Sequence, residues 1–288
     1  MGGVPAAILF GLCSAFSWGA GDFIGGYASR RINPLAVILT SQLAGLLMLI
    51  AAAWISAEPI PAGRDFLYGA TGGLAGLVGL AALYRGLAEH KMGTIAPLSA
   101  LITAALPILA GFTLEGFPPP AQFAGILIAA PAIYWVSREE DSAGPVRLSW
   151  QVLKYPLLAG LGFGLFFILI DRVTVGAVFW PIVATRAASI AAVFVWMRLS
   201  AGRREEAVSS RPGRLLPVIL LGGLFDAGGN VFFVLAAQAG RLDIAAVLAS
   251  LYPAGTVFLA WLILKERLSK TQLLGVAAAL VAVVLFSV

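Results

Sequence analysis

Long apolar runs, broken by short polar punctuation, fill the chain from end to end. Ten can be marked, at about residues 4–28, 34–56, 66–88, 93–114, 120–137, 153–170, 177–199, 215–238, 244–264 and 271–288. Each is close to the roughly 17–25 residues that an α-helix needs to cross the hydrocarbon core of a bilayer. The runs are continuous and do not alternate with period two, which excludes an outer-membrane barrel. The connections are short, the longest at about 138–152 and 200–214, so there is no room for a soluble domain and function must reside within the membrane.

The pattern repeats. Gly72-Gly73-Leu74 followed by Gly79 recurs 150 positions later as Gly222-Gly223-Leu224 followed by Gly229. At the same offset Ala96, Leu98, Leu101, Ala104, Leu109, Ala110 and Leu114 return as Ala246, Leu248, Leu251, Ala254, Leu259, Ala260 and Leu264. Each copy closes on an acidic residue, Glu115 or Glu266, one position out of register. The halves, residues 1–144 and 145–288, contain five spans each. Five is odd, so the second half enters the membrane the opposite way round. The expected fold is therefore all-α, with ten transmembrane helices in two inverted five-helix repeats around a central cavity. That geometry can open alternately to either face about a site near the midplane.

Composition agrees with this picture. The chain is 60% hydrophobic and only 11% charged, against roughly 25% charged residues in soluble domains, and its mean hydropathy is +0.95. The net charge of +5 is no nucleic-acid signal, because the basic residues sit between the apolar runs. The single cysteine, Cys13, lies inside the first run, so a disulfide framework is impossible and a cysteine-based metal site is unsupported. Cys13 reads as a buried structural thiol. The lone His90 has no metal-binding motif around it, and no metal or cofactor is expected. The first run lacks a basic leader and further spans follow it, so it reads as a retained helix.

Sidedness follows from the basic residues. The odd-numbered connections carry Arg30, Arg31, Lys91, Arg138, Arg147, Arg198, Arg203, Arg204, Arg211, Arg214, Lys265, Arg267 and Lys270, whereas the even-numbered ones carry Arg64, Arg172 and Arg241. Basic residues beside span ends favour the cytoplasm. The odd loops are thus expected inside, and both termini on the periplasmic side of a bacterial inner membrane.

Polar groups are costly in hydrocarbon and mark function when they occur there. The first run holds Ser14, Ser17, Trp18 and, nearer its end, Asp22, which reads as an interfacial carboxylate. The second holds Thr40, Ser41 and Gln42; the seventh, Arg186; the eighth, Asp226 and Asn230, four apart and so on one helical face. Arg186 and Asp226 are the opposite charges near the middle of two spans. They are expected to pair if their helices meet, either as a structural link or as a site in which Asp226 handles a proton or Arg186 takes a substrate carboxylate. Arg85, Glu89, His90 and Lys91 cluster at the end of the third span and read as a topology signal or an interfacial gate. Phe16, Trp18, Tyr84, Phe163, Phe166, Phe167 and Tyr252 are candidates to line the cavity. Pro97 and Pro107 are read as interrupting the fourth span, Pro181 the seventh and Pro253 the ninth, and Pro97, Pro181 and Pro253 are gating candidates because a proline frees a backbone carbonyl. The symmetry breaks where Gly76 becomes Asp226 and Leu80 becomes Asn230, which is where a substrate or proton site would be sought first.

These features resemble the drug/metabolite transporter superfamily and, within it, the EamA-type carriers. The resemblance rests on Ala96-Pro97-Leu98 opening a helix that ends at Leu114-Glu115, followed by Gln122 and Gly125. It rests equally on Ala245-Ala246-Val247-Leu248 opening one that ends at Leu264-Lys265-Glu266, followed by Gln272 and Gly275. Ser17-Trp18-Gly19 is similar to an early motif of the family, and the second repeat departs there with Phe166-Phe167-Ile168. The resemblance implies a ten-span carrier of small metabolites with a cavity lined by both halves. The subfamily it most resembles is that of the YddG-like amino-acid exporters, since the candidate cavity is aromatic with few fixed charges. The expected partners are a small-molecule substrate and the lipid bilayer, with a monomer sufficient.

Other classes fit less well. An intramembrane protease needs a Ser–His pair, a metal motif or facing aspartates in motif context. A channel would show a ring of like charges or a repeated carbonyl filter. A sugar or nucleoside carrier would need several polar side chains converging on hydroxyls, and Gln42, Asn230 and Gln238 are the main candidates for that.

Overall fold

A computed structural model describes residues 3–29, 31–89, 92–137, 150–199, 213–265 and 269–287. His90, Lys91, Glu266 and the basic residues Arg30, Arg138, Arg147, Arg203, Arg204, Arg211 and Arg267 lie outside the described residues, as do the side chains of Glu89 and Pro97.

The described chain is helical: α1 (Val4–Ser29), α2 (Pro34–Ile55), α3 (Gly63–Glu89), α4 (Met92–Leu114), α5 (Pro120–Ser137), α6 (Trp150–Asp171), α7 (Phe179–Leu199), α8 (Leu216–Ala239), α9 (Leu242–Ala249), α10 (Tyr252–Leu264) and α11 (Lys270–Phe286). Seven stretches are long and apolar enough to cross a membrane by length and composition, and three shorter apolar helices complete the ten spans. The helices begin where the chain offers caps. Asn33 accepts the Leu35 N–H at 2.9 Å, with Pro34 in the first turn of α2, where a missing donor costs nothing. Ser269 and Gln272 form a reciprocal capping box at α11.

The prolines correct one expectation. α4 runs unbroken through Pro97 and Pro107, and Pro181 sits in the first turn of α7, where helical N–H groups lack intrahelical partners anyway. The ninth span is the one that breaks, between Ala249 and Tyr252, with Pro253 in the first turn of α10.

The halves interlock. The extensive helix contacts run from one half to the other: α1 against α8 and α10, α3 against α6 and α7, α2 against α8, α4 against α6, and α5 against α11. Exchanging α1–α5 for α6–α11 turns this set of contacts into itself, as a twofold relation requires. Glycines set the closeness. A Cβ on Gly73 of α3 would strike the Thr185 carbonyl of α7, and one on Gly223 of α8 would strike the Ser41 carbonyl of α2. Gly73 and Gly223 are partners in the sequence repeat, so Ser41 and Thr185 are partners too. Small faces of this kind allow backbones to approach closely in a bilayer. Large apolar side chains such as Leu47, Leu109, Leu127 and Leu280 point outward and are exposed, as a lipid-facing surface demands.

Candidate functional site

One residue on from Ser41 and Thr185 stand Gln42 and Arg186, 144 positions apart. They face each other across the junction of the halves, and Arg186 Nη1 donates to Gln42 Oε1. The same Nη1 donates to Asp226 Oδ2 at 2.5 Å. Arg186 is nearly enclosed, with 4% of its side chain exposed, whereas Asp226 is 33% exposed and opens onto a cavity. Asn230, one turn further along α8, donates from Nδ2 to the Asp226 carbonyl at 3.1 Å.

The cavity holds about 660 Å³ of empty space, its open mouth included. Trp18, Asp22, Gln42, Thr103, Phe163, Phe166, Phe167, Thr185, Arg186, Ser189, Asp226, Asn230 and Tyr252 line it, together with Gly73, Gly76, Leu77 and Leu80. A second space of about 360 Å³ shares Asp22, Leu80 and Asp226 with it and continues past Tyr84 toward Gly25, Val37 and Ile219, the odd-loop ends of their helices.

Toward the even-loop ends the space is shut. Trp18 stacks on Phe167 with centroids 5.4 Å apart, and Phe167 on Phe233 at 4.1 Å. Beyond this aromatic layer, hydrogen bonds tie the two halves together. The Glu58 carboxylate accepts the backbone N–H groups of Val178, Phe179 and Trp180 at the start of α7, where helix polarity favours an anion. Buried Asp65 accepts from the Thr174 N–H and hydroxyl. Glu115 Oε1 accepts the Leu242 N–H at 3.1 Å. Arg241 donates to the Gly116 carbonyl at 2.6 Å and to Asp243 at 2.8 Å, and the Asp243 bond raises the guanidinium further above its ordinary range.

Several cavity groups lack partners. Arg186 Nε and Nη2, Thr103 Oγ1 and the Tyr252 hydroxyl are all shielded from solvent with no hydrogen bond among the described residues. Unpaired buried donors are costly, so such a constellation points to a ligand. Nε and Nη2 share one edge of the guanidinium, the edge that receives a carboxylate side-on.

Of the expected site residues, Trp18, Gln42, Phe163, Phe167, Arg186, Asp226, Asn230 and Tyr252 come together at the cavity. Tyr84 lines the adjoining space. Ser17 lies at neither, being buried against Gly228 of α8. Phe16 faces outward beside Phe258, and Gln238 bonds Gly176 and Ala177 at the even-loop end. Asp22 overturns its interfacial reading: it lies in the shared wall of both spaces. Thr103, Thr185 and Ser189 also line the cavity, and only the facing of their helices reveals them.

Two inverted halves enclosing a midplane cavity with an ion pair on its wall define a polytopic membrane carrier. The chain belongs to the EamA-like transporter family, whose model matches residues 5–138 and 151–288, once in each half. A solved structure described as "Crystal structure of protein" is similar over 98% of this chain and 96% of its own, with a TM-score of 0.73 and 18% sequence identity. At that identity the likeness shows a shared fold. No curated protein matches the chain.

Proposed function

We propose that this carrier exports amino acids, aromatic or broad in range, across a bacterial inner membrane by alternating access, in the manner of YddG-like exporters. The observation that carries the reading is the unpartnered Nε–Nη2 edge of Arg186, whose side chain lines the cavity. Asp226 and Gln42 hold Nη1, which orients the guanidinium and leaves its side edge for a substrate carboxylate. Trp18, Phe163 and Phe167 supply an apolar face for the substrate's side chain. A sugar carrier fits less well, because Gln238 lies away from the cavity. In this reading residues 1–144 and 145–288 are the two moving halves, the termini are periplasmic, and the hydrogen-bonded even-loop face is the closed periplasmic gate. Pro253 sits beside the helix break at which the ninth span flexes.

The test is ligand-dependent stabilisation of the purified carrier over an amino-acid and sugar panel, since a ligand that binds the folded state alone raises its stability. Amino acids are expected to raise the unfolding temperature, and Arg186→Gln to abolish the rise. Stabilisation by sugars alone would reverse the assignment.

A further inference from the structure

The charges around the cavity do not balance. Its lining contains two carboxylates, Asp22 and Asp226, and one guanidinium, Arg186. Asp226 takes the guanidinium at 2.5 Å. Asp22, across the α1–α8 contact, has no hydrogen bond or cation among the described residues. The two helices touch here: a Cβ on Gly21 would lie 3.3 Å from the Asp226 Cβ, and the Asp22 and Asp226 charges repel each other. With both carboxylates ionised the cavity lining carries one uncompensated negative charge.

We propose that Asp22 receives a cationic amine carried by the substrate, so that the loaded cavity holds a ligand with one positive group against Asp22. This rests on the cavity being the substrate site. An alkylammonium offers three N–H donors. The Asp22 carboxylate accepts in the strong, charge-assisted manner. The unpartnered hydroxyls of Thr103 and Tyr252, 1% and 8% exposed, line the same cavity and have acceptor lone pairs to spare. Trp18 and Tyr252 in the lining add aromatic faces, which attract cations over their rings.

Equilibrium binding to the purified full-length carrier at neutral pH tests this with phenylalanine, phenethylamine, 2-phenylethanol and N-acetylphenylalanine. Phenethylamine, which keeps ring and ammonium but has no carboxylate, is expected to bind and to compete with phenylalanine. 2-Phenylethanol and N-acetylphenylalanine, which lack the cation, are expected to bind about ten- to a hundredfold more weakly, the range of one lost charged hydrogen bond. Asp22→Asn is expected to lose phenethylamine affinity by the same factor while its unfolding temperature is kept. Equal affinity for phenethylamine and 2-phenylethanol overturns the proposal without requiring any variant to fold. So does Asp22→Asn that binds phenethylamine as the wild type does, the result expected if a proton neutralises Asp22. Phenylalanine binding without phenethylamine binding sinks the amine site and leaves the amino-acid reading standing. Phenethylamine binding without phenylalanine binding does the reverse, and binding of neither overturns both.

Discussion

Gln42 and Arg186 occupy equivalent places in the two repeats and hydrogen-bond to each other where the halves meet. A residue beside a twofold axis faces its own counterpart, so perfect symmetry would set two glutamines or two arginines together there. Two buried guanidiniums would repel, and two amides would leave Asp226 without a cation. Divergence at this one pair supplies a donor, an acceptor and a fixed charge at the centre of the molecule.

Gln42→Leu therefore removes an acceptor from a buried cation. It is expected to lower stability by about 1.5–3 kcal/mol, the contribution of a hydrogen bond to a charged group. Gln42→Arg is expected to be worse, because it restores like charges at the junction. Denaturation titrations in detergent would order the variants; a Gln42→Arg protein as stable as wild type would refute the geometry.

Removing Asp226 strands Arg186. Asp226→Ala is expected to cost about 3–5 kcal/mol, as for other broken buried pairs, whereas replacing both partners with apolar residues of similar size recovers most of that loss. The double variant Arg186→Met with Asp226→Leu is thus expected to fold and to transport nothing. Transport by the double variant would show that the pair is structural only.

The glycine contacts predict a symmetric penalty. Gly73→Ala and Gly223→Ala each push a methyl into a facing carbonyl and are expected to lose about 1–3 kcal/mol. Gly26→Ala, in α1 with nothing within 4 Å of the new Cβ, is the control and is expected to be neutral or up to about 1 kcal/mol stabilising. A uniform response of all three would mean that α2–α8 and α3–α7 pack more loosely than described.

Glu58 caps α7 from the opposite half. Glu58→Ala is expected to cost about 0.5–2 kcal/mol in lost capping and to loosen the even-loop face. In a Cys13→Ser background, a cysteine placed at buried Ala177 should then react faster with a membrane-impermeant maleimide added from that side. Unchanged labelling would show that Asp65, Glu115 and Arg241 hold the face without it.

Much of this was legible in the sequence. The hydropathy runs fall within a few residues of the observed helices because a bilayer imposes length and apolarity directly. The offset of 150 marks the paired glycines, and the polar outliers Arg186, Asp226 and Asn230 mark the cavity, since hydrocarbon tolerates such groups only with a purpose. What hydropathy does not carry is facing. Asp22 reads as interfacial from its place near the end of α1, yet α8 covers that end and turns it into a cavity wall. Ser17, five residues earlier, reads as a site residue and faces Gly228 instead. The proline reading failed in the fourth span, where α4 absorbs Pro97 and Pro107 within a continuous helix, and held in the ninth, where the break at Ser250-Leu251 falls just before Pro253, whose missing N–H leaves the Ala249 carbonyl without its intrahelical donor.

That break has a consequence for the transport cycle. One sequence pattern exists in this molecule in two shapes: unbroken as α4, and as a wholly buried half-helix joined to α10. If the repeats trade shapes as the carrier turns over, the opposite-facing state has α9 and α10 fused into a single rod. The kink then moves to the matching step in α4, at Ala100-Leu101, so the protein carries the template of its unseen state within its own other half.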